Sequence, residues 1–214
     1  MAIAGISSEH DHAPVDILSA PKVADPAPLG LAAFALTTFL LSAFNAEWTR
    51  GTAAFLGFAL AYGGLVQLLA GMWEFKNNNV FGATAFGTYG GFWIGLGLYF
   101  ELVVPADKPT VAQFHNDLGW IVLAFLIFNT YMLLWSLFVN KAVFGVFLTL
   151  EITEILLVVG NFTLHNWYLE AGGVAGVVTA AVAWYTSSAG VINGIVGRPF
   201  LWVGKPLTLA PSTK

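Results

Sequence analysis

The polar residues that could do chemistry in this chain are few, and most lie inside long apolar runs. They are mainly amides and hydroxyls, together with two carboxylates, Glu151 and Glu154, that lie three residues apart. A polar group is costly in hydrocarbon and persists mainly where it faces a cavity or a partner, so these positions are where function is expected. The candidates for binding a ligand or lining a path are Asp25, Pro28, Thr38, Tyr62, Gln67, Thr84, Thr88, Asn129 and Asn161.

Catalytic and metal-binding chemistry is not expected from the remaining polar residues. The chain has no cysteine, and neither His115 nor His165 has a serine beside it in a nucleophile motif. No two histidines stand four residues apart on one helix face, and the pair His10 and His12 is expected to be solvated rather than to hold a metal. We therefore predict no catalytic residue, no metal site and no cofactor.

The composition places the elements that carry these residues in a membrane. Of the 214 residues, 57% are hydrophobic and 9% are charged, whereas a soluble domain carries about a quarter charged residues. Apolar runs near the ~20 residues that a membrane-spanning helix needs cover about 28–46, 52–74, 80–104, 117–139, 142–163 and 170–193. A membrane β-barrel needs short stretches of alternating polarity, so we predict an all-α membrane protein with six transmembrane helices.

Charge indicates the orientation of the helices. With the N-terminus inside, Lys76 and Lys141 lie among six inner basic residues, whereas Arg50 and Lys108 are the outer ones. Both termini are therefore predicted to be cytoplasmic. Eight basic residues and a net charge of −4 do not make the electrostatic footprint of a nucleic-acid partner. The predicted divisions are a mobile cytoplasmic tail over 1–24, a six-helix transmembrane domain over 25–197 and a cytoplasmic C-terminal tail over 198–214.

Glycines recur at four-residue spacing, which stacks them on one face of a helix and lets two backbones approach closely. The sets are Gly87, Gly91 and Gly95 in the third run, and Gly172 with Gly176 and Gly190 with Gly194 in the sixth. Two interpretations stay open. These faces pack either against other helices of the same subunit or against a neighbouring subunit.

Four segments carry a resemblance to a known family. They are DPAPLGL from Asp25 to Leu31, Tyr62-Gly63-Gly64, GMWEFKNNNVFGATAFGTYGGFW from Gly71 to Trp93, and Gly160-Asn161. Together they resemble the acetate uptake transporters, the YaaH-like and SatP-like acetate and succinate permeases of bacteria and their fungal relatives. The first segment is similar to the family signature NPAPLGL, with an aspartate here in place of its opening asparagine.

The resemblance implies a hexamer of six-helix protomers in the plasma membrane. Each protomer would have its own path for acetate or other short monocarboxylates and, in some members, succinate. The narrow point of the family's path corresponds to Phe34, Tyr89 and Leu150 in this chain. Such a constriction passes a small, partly desolvated carboxylate and hinders bulkier solutes. Transport as a channel and transport as a proton symporter both stay open.

Glu154 and Glu151 are candidate proton sites, at positions where members of that family mostly have uncharged residues. At ~100° per residue, Glu154 lies about 40° around the helix from Leu150, and Glu151 about 100°. If Leu150 faces the path, Glu154 shares its face, where burying an ionised carboxylate costs roughly 2 to 4 kcal/mol and favours the protonated form. Three alternatives remain: the two glutamates only hold the bundle together, they form a proton or cation pathway, or the protein is a non-transporting scaffold built on its glycine faces.

Overall fold

A computed structural model describes residues 23–208 of the chain. Residues 1–22, which include His10, His12 and most of the predicted N-terminal tail, lie outside the described part, as do residues 209–214. Within 23–208 every regular element is a helix. This confirms the predicted all-α class.

Six membrane-length helices follow one another along the described chain. Helix α1 is Ala27–Asn45. Helix α2 covers 53–76, as Ala53–Phe58, a π-helical segment Ala59–Val66 and Gln67–Lys76. Helix α3 covers 80–107, as Val80–Leu98, a π-helical turn Tyr99–Val103 and Val104–Asp107. Helices α4, α5 and α6 are Val111–Ser136, Lys141–Thr163 and Asn166–Val196. All but the glycine-rich α3 are long and apolar enough, by length and composition, to cross a membrane.

Helix α4 begins at Val111, so the predicted start near 117 was wrong. A capping box fixes this start: the Thr110 hydroxyl accepts from the Gln113 N–H at 3.3 Å, and the Gln113 side chain accepts from the Thr110 N–H at 2.9 Å. Polar residues in this first turn made the segment resemble a loop. Helix α6 likewise begins at Asn166 instead of 170.

The start of α1 is fixed by prolines and an aspartate. Pro26 stands at the N-cap, and Pro28 lies in the first turn, where a proline removes no helical hydrogen bond. Asp25 Oδ1 accepts from the Ala27 N–H at 3.0 Å, so its carboxylate is engaged by the helix from one residue before the cap.

The helices pack through a series of pairwise contacts, in which α6 also packs against α5. Helix α2 pairs with α3, α4 pairs with α5, and α1 joins the two pairs through α2 and α6. Glycine permits close approach of α2 and α3, because a Cβ at Gly71 would lie 2.6 Å from the Gly87 backbone nitrogen. The core cluster that contains Phe34, Tyr89 and Leu150 lies between α1, α3, α4, α5 and α6.

The segment 198–208 lies across the ends of α4, α5 and α6. Asn193 Oδ1 accepts from the backbone N–H of Phe200 and Leu201 at 2.7 and 2.8 Å. Further along, the Ala142 N–H donates to the Val203 carbonyl at 2.9 Å. The described part of the predicted C-terminal tail is therefore attached to the bundle.

Candidate functional site

Two cavities enter the bundle from opposite ends. The wide cavity, about 570 Å³, lies at the end where α1 finishes and α4 begins, and its mouth includes Glu47 and Arg50. The narrow cavity, about 370 Å³, lies at the end where α1 begins, beside Asp25, Asn77 and Asn140. Their walls are mostly apolar.

Phe34, Tyr89 and Leu150 are the residues that line both cavities. They come from α1, α3 and α5, and each is at most 6% exposed. The Phe34 and Tyr89 rings pack edge to face with their centroids 5.7 Å apart. The structure thus brings the three residues together at the point where the two cavities approach each other.

The Tyr89 hydroxyl contacts a buried cluster of polar side chains on α4 and α5. Tyr89 Oη lies 3.1 Å from Asn129 Oδ1 and 3.3 Å from Glu154 Oε1. Asn129 is fully buried, and its Nδ2 donates to Glu151 Oε2 at 2.7 Å and to the Phe147 carbonyl at 3.0 Å. The tyrosine at the narrow point is therefore hydrogen-bonded directly to one of the two glutamates and linked to the other through Asn129.

The two glutamates face different surroundings. Glu154 lines the wide cavity together with Leu150, as the helical angle predicted, and its Oε2 is buried without a hydrogen-bond partner in the described chain. Glu151 is not among the residues lining either cavity. Its carboxylate accepts from Asn129 and, at 2.8 Å, from the Thr130 hydroxyl.

Four of the other predicted path residues line a cavity. Thr38 and Asn161 line the wide one, and Asp25 and Gln67 line the narrow one. Thr38 Oγ1 and Gln67 Oε1 are buried with no hydrogen-bond partner among residues 23–208. A buried polar atom that faces a cavity in this way can pair with a ligand or with water.

The remaining candidates lie away from both cavities. The Thr84 hydroxyl bonds back to the Val80 carbonyl of its own helix, and the Pro28 carbonyl accepts from Ser187 on α6. Hydroxyls in helices commonly bond back in this way, which uses the only donor of the hydroxyl. The residues that do not line either cavity are Pro28, Tyr62, Thr84, Thr88 and Asn129.

Sequence reasoning missed several residues that line the cavities. His115 lies inside α4, its Nδ1 is 2.8 Å from Asn161 Oδ1, and it lines the wide cavity. Asn77 and Asn79 line the narrow cavity, and Asn77 donates to the buried carboxylate of Glu74. The Thr110 capping box would have placed His115 within a helix, and the Asn-rich turn lies inside the segment that carries the family resemblance.

A bundle of membrane-length helices, with two cavities that enter from opposite ends and share three lining residues, is the fold of a multi-pass membrane protein. Residues 11–196 match the GPR1/FUN34/yaaH family, and this chain belongs to it. The match confirms the resemblance seen in the sequence.

Relatives and a solved structure agree with this assignment. The chain is 42% identical to acetate permease A of Emericella nidulans over 82% of its own length and 64% of that protein. It is 34% identical to the succinate-acetate/proton symporter SatP of Escherichia coli K12, over 86% and 97% of the two chains. The solved structure of the bacterial acetate channel SatP superposes with a TM-score of 0.79 at 33% identity, over 86% of this chain and all of that one.

The chain is shorter than its fungal relatives. It spans between 62% and 66% of the length of the three fungal proteins with which it shares 41 to 42% identity. The bacterial SatP, in contrast, is matched over almost its whole length.

Proposed function

We propose that this protein is a plasma-membrane permease that moves acetate and similar short carboxylates, succinate among them, through a path in each protomer. The observation that carries the proposal is the pair of cavities that reach Phe34, Tyr89 and Leu150 from opposite ends of the bundle. The names of two relatives, acetate permease A and the succinate-acetate/proton symporter SatP, support the substrate class.

The lining of the path suits a small anion with an apolar tail. At the narrow point two aromatic rings and a leucine leave only apolar surface and one phenol, so a passing carboxylate sheds part of its water. The amide of Gln67 on one side, and Asn161 with Thr38 on the other, offer hydrogen-bonding groups before and after that step. A solute that carries a second carboxylate, or that is bulkier, has a higher free-energy barrier to passage.

The proposal includes a proton site at Glu154 in the wall of the wide cavity. An ionised Glu154 next to the narrow point repels an approaching acetate, and a proton on Glu154 removes that repulsion. Glu151 has a supporting part, because its carboxylate is engaged by Asn129 and Thr130 outside the cavity linings.

The remaining parts of the proposal are orientation and assembly. Both termini are cytoplasmic, so the narrow cavity opens to the cytoplasm and the wide cavity to the outside. Six protomers assemble into a hexamer. Support for assembly comes from Gly91 and Gly95, where an added Cβ would meet nothing within 4 Å of the protomer, as expected for a glycine face that packs a neighbouring subunit.

Flux into sealed liposomes tests the proposal. Liposomes that contain the protein should take up labelled acetate and acidify inside when acetate is added, well above empty liposomes. Leu150→Trp, which fills the narrow point, should abolish the uptake without changing assembly. Proton flux without acetate would instead favour a proton or cation pathway through the glutamates, and no flux of either kind would favour a scaffold.

A further inference from the structure

A series of buried hydrogen bonds extends from the narrow point, away from the two cavities, into the groove between α4 and α5. It runs from Tyr89 Oη to Asn129 Oδ1, and from Asn129 Nδ2 to Glu151 Oε2, at 3.1 and 2.7 Å. Thr130, which is exposed on the outer side of α4, donates to the other oxygen of Glu151. Asn129 is fully buried and lines neither cavity, so contact with a substrate does not explain why an amide is buried at this position.

The orientation of the Asn129 amide is fixed by its partners. Its two N–H donors face the Glu151 carboxylate and the Phe147 carbonyl, which are both acceptors. A flipped amide would set its oxygen against these two acceptors and its NH₂ group toward the phenol. The amide oxygen is therefore held toward Tyr89.

Tyr89 has one phenolic proton and two acceptors within reach. Its oxygen lies 3.1 Å from Asn129 Oδ1 and 3.3 Å from Glu154 Oε1. An ionised Glu154 takes the phenolic proton in a charge-assisted bond. A protonated Glu154 can donate its own O–H to the phenol oxygen, and the phenolic proton then needs Asn129 as its acceptor.

Few other titratable groups face this cluster. Glu151 lies on the same helix as Glu154 and is tied to Asn129, and Tyr131 lies one turn from Phe128 on α4, with its ring centroid 5.1 Å away. Helix α1 presents Thr38 and Ser42, which are uncharged. The other titratable residues that line the wide cavity are Glu47, Arg50, His115 and Glu170.

We propose that Asn129 is a positioning residue for Tyr89. Its fixed amide holds the phenol in place across the path whenever Glu154 does not accept the phenolic proton, and it thereby sets the size selectivity of the narrow point at acidic pH. This inference rests on the proposed carboxylate transport. It assigns selectivity to a residue that the substrate never touches.

The test compares Asn129→Leu, Tyr89→Phe and the double variant in liposomes, with acetate and succinate uptake measured at acidic and at neutral pH. Asn129→Leu should raise the succinate-to-acetate ratio at acidic pH by about fivefold, which corresponds to about 1 kcal/mol at 1.36 kcal/mol per tenfold. At neutral pH the rise should be smaller, because Glu154 then holds the phenol. The double variant should have the same succinate-to-acetate ratio as Tyr89→Phe alone.

Thr130→Val is the matched control, since it removes the other partner of Glu151 without touching Asn129, and it should leave the ratio as in wild type. If Asn129→Leu does not assemble, Glu151→Leu takes its place. This variant keeps the Asn129 amide but removes one of the acceptors that fix its orientation, so we expect a smaller rise in the succinate-to-acetate ratio. An unchanged ratio in an assembled variant, or effects of Asn129→Leu and Tyr89→Phe that multiply in the double variant, would overturn the inference. Wild-type liposomes that take up no acetate would instead refute the proposed function.

Discussion

At the scale of single residues, Tyr89 combines apolar packing of its ring with hydrogen bonds of its hydroxyl. Its ring packs edge to face against Phe34, Phe92 and Phe128, with centroids 5.4 to 6.4 Å apart. Its hydroxyl reaches Asn129 and Glu154. A buried tyrosine supplies a large apolar body and a polar end that needs a partner, so its replacement by a smaller residue affects the width and the polarity of the path together.

Tyr89→Ala should widen the narrow point and raise succinate flux relative to acetate by roughly tenfold, the order expected when one size-selective contact is lost. Uptake of the two labelled acids by liposomes measures this ratio. Tyr62→Ala, which removes the same side chain away from both cavities, should leave it unchanged. A folded Tyr89→Ala protein with the wild-type ratio would contradict the placement of the narrow point.

Glu154→Gln mimics the protonated carboxyl with almost no change in volume. We expect this variant to take up acetate near neutral pH at least as well as wild type and with a flatter pH profile, because the repelling charge is gone at every pH. Glu151→Gln is the matched control and should keep the wild-type profile. An unaltered profile for Glu154→Gln, or loss of assembly, would show that the residue is structural.

The sequence predicted part of this site, and the reasons differ by residue. Leu150 and Glu154 share a cavity because four residues take a helix slightly past one full turn, which periodicity alone predicts. The place of Phe34 and Tyr89 depended on the family resemblance. The partners of Asn129 lie 40 residues before it and 18 to 22 residues after it, so no local pattern could indicate them.

At the scale of elements, glycine sets how closely the helices approach. The π-helical segment of α2 contains Gly63 and Gly64, and a Cβ at Gly64 would lie 2.7 Å from the Ile94 side chain on α3. In α6, Gly172 and Gly190 face Leu157 and Pro28 of the same protomer. Packing within one subunit therefore holds for these two glycines, whereas a neighbouring subunit against Gly91 and Gly95 stays a prediction.

Gly71→Ala should disrupt the protomer, because its Cβ would lie 2.6 Å from the Gly87 nitrogen and 3.1 Å from its Cα, and backbone cannot yield easily. We expect a loss of about 1 to 3 kcal/mol, seen as a lower melting temperature in detergent. Gly57→Ala, on the same helix as Gly71, has open space and should melt as wild type does. Equal melting temperatures for the two variants would contradict this packing of α2 on α3.

Gly91→Leu extends the test to assembly. If the Gly91 face packs a neighbouring subunit, a leucine there should release folded protomers, which native mass spectrometry or size-exclusion chromatography with light scattering detects. Gly57→Leu, at another position with no protomer atom near its Cβ, is the comparison on α2. Unchanged assembly of Gly91→Leu would place the subunit contact on another face.

Helix number and type followed from hydropathy, because each apolar run has the length of one span. The bounds were less predictable where helices extend past the hydrocarbon. The first turn of α4 is polar, and its start depends on the Thr110–Gln113 capping box instead of on hydropathy. The π-helical segment of α2 leaves no mark in apolar periodicity, since its sequence ALAYGGLV is aliphatic, aromatic or glycine throughout.

At the scale of the whole molecule, the two cavities share lining residues only because distant helices pack together. The residues shared by the two cavities come from α1, α3 and α5, which are separated by 55 and 61 residues in sequence at Phe34, Tyr89 and Leu150. Composition alone predicted a membrane bundle, whereas the depth and meeting point of the cavities follow from three-dimensional packing.

The orientation of the molecule is testable because the chain has no cysteine. In intact cells an impermeant thiol reagent should label Asp107→Cys but not Lys76→Cys or Lys141→Cys, all three positions being exposed. Labelling at 76 and 141 but not at 107 would reverse the proposed orientation.

The central claim is that carboxylates pass between Phe34, Tyr89 and Leu150, and Leu150→Cys tests it most directly. In liposomes with this variant, a small methanethiosulfonate reagent should stop acetate uptake, added acetate should slow the block, and a reducing agent should restore uptake. Ile152→Cys lies on the same helix but is 48% exposed on the outside of the protomer, and its modification should leave uptake unchanged. Complete modification of Leu150→Cys with acetate uptake unaffected would show that the substrate passes elsewhere.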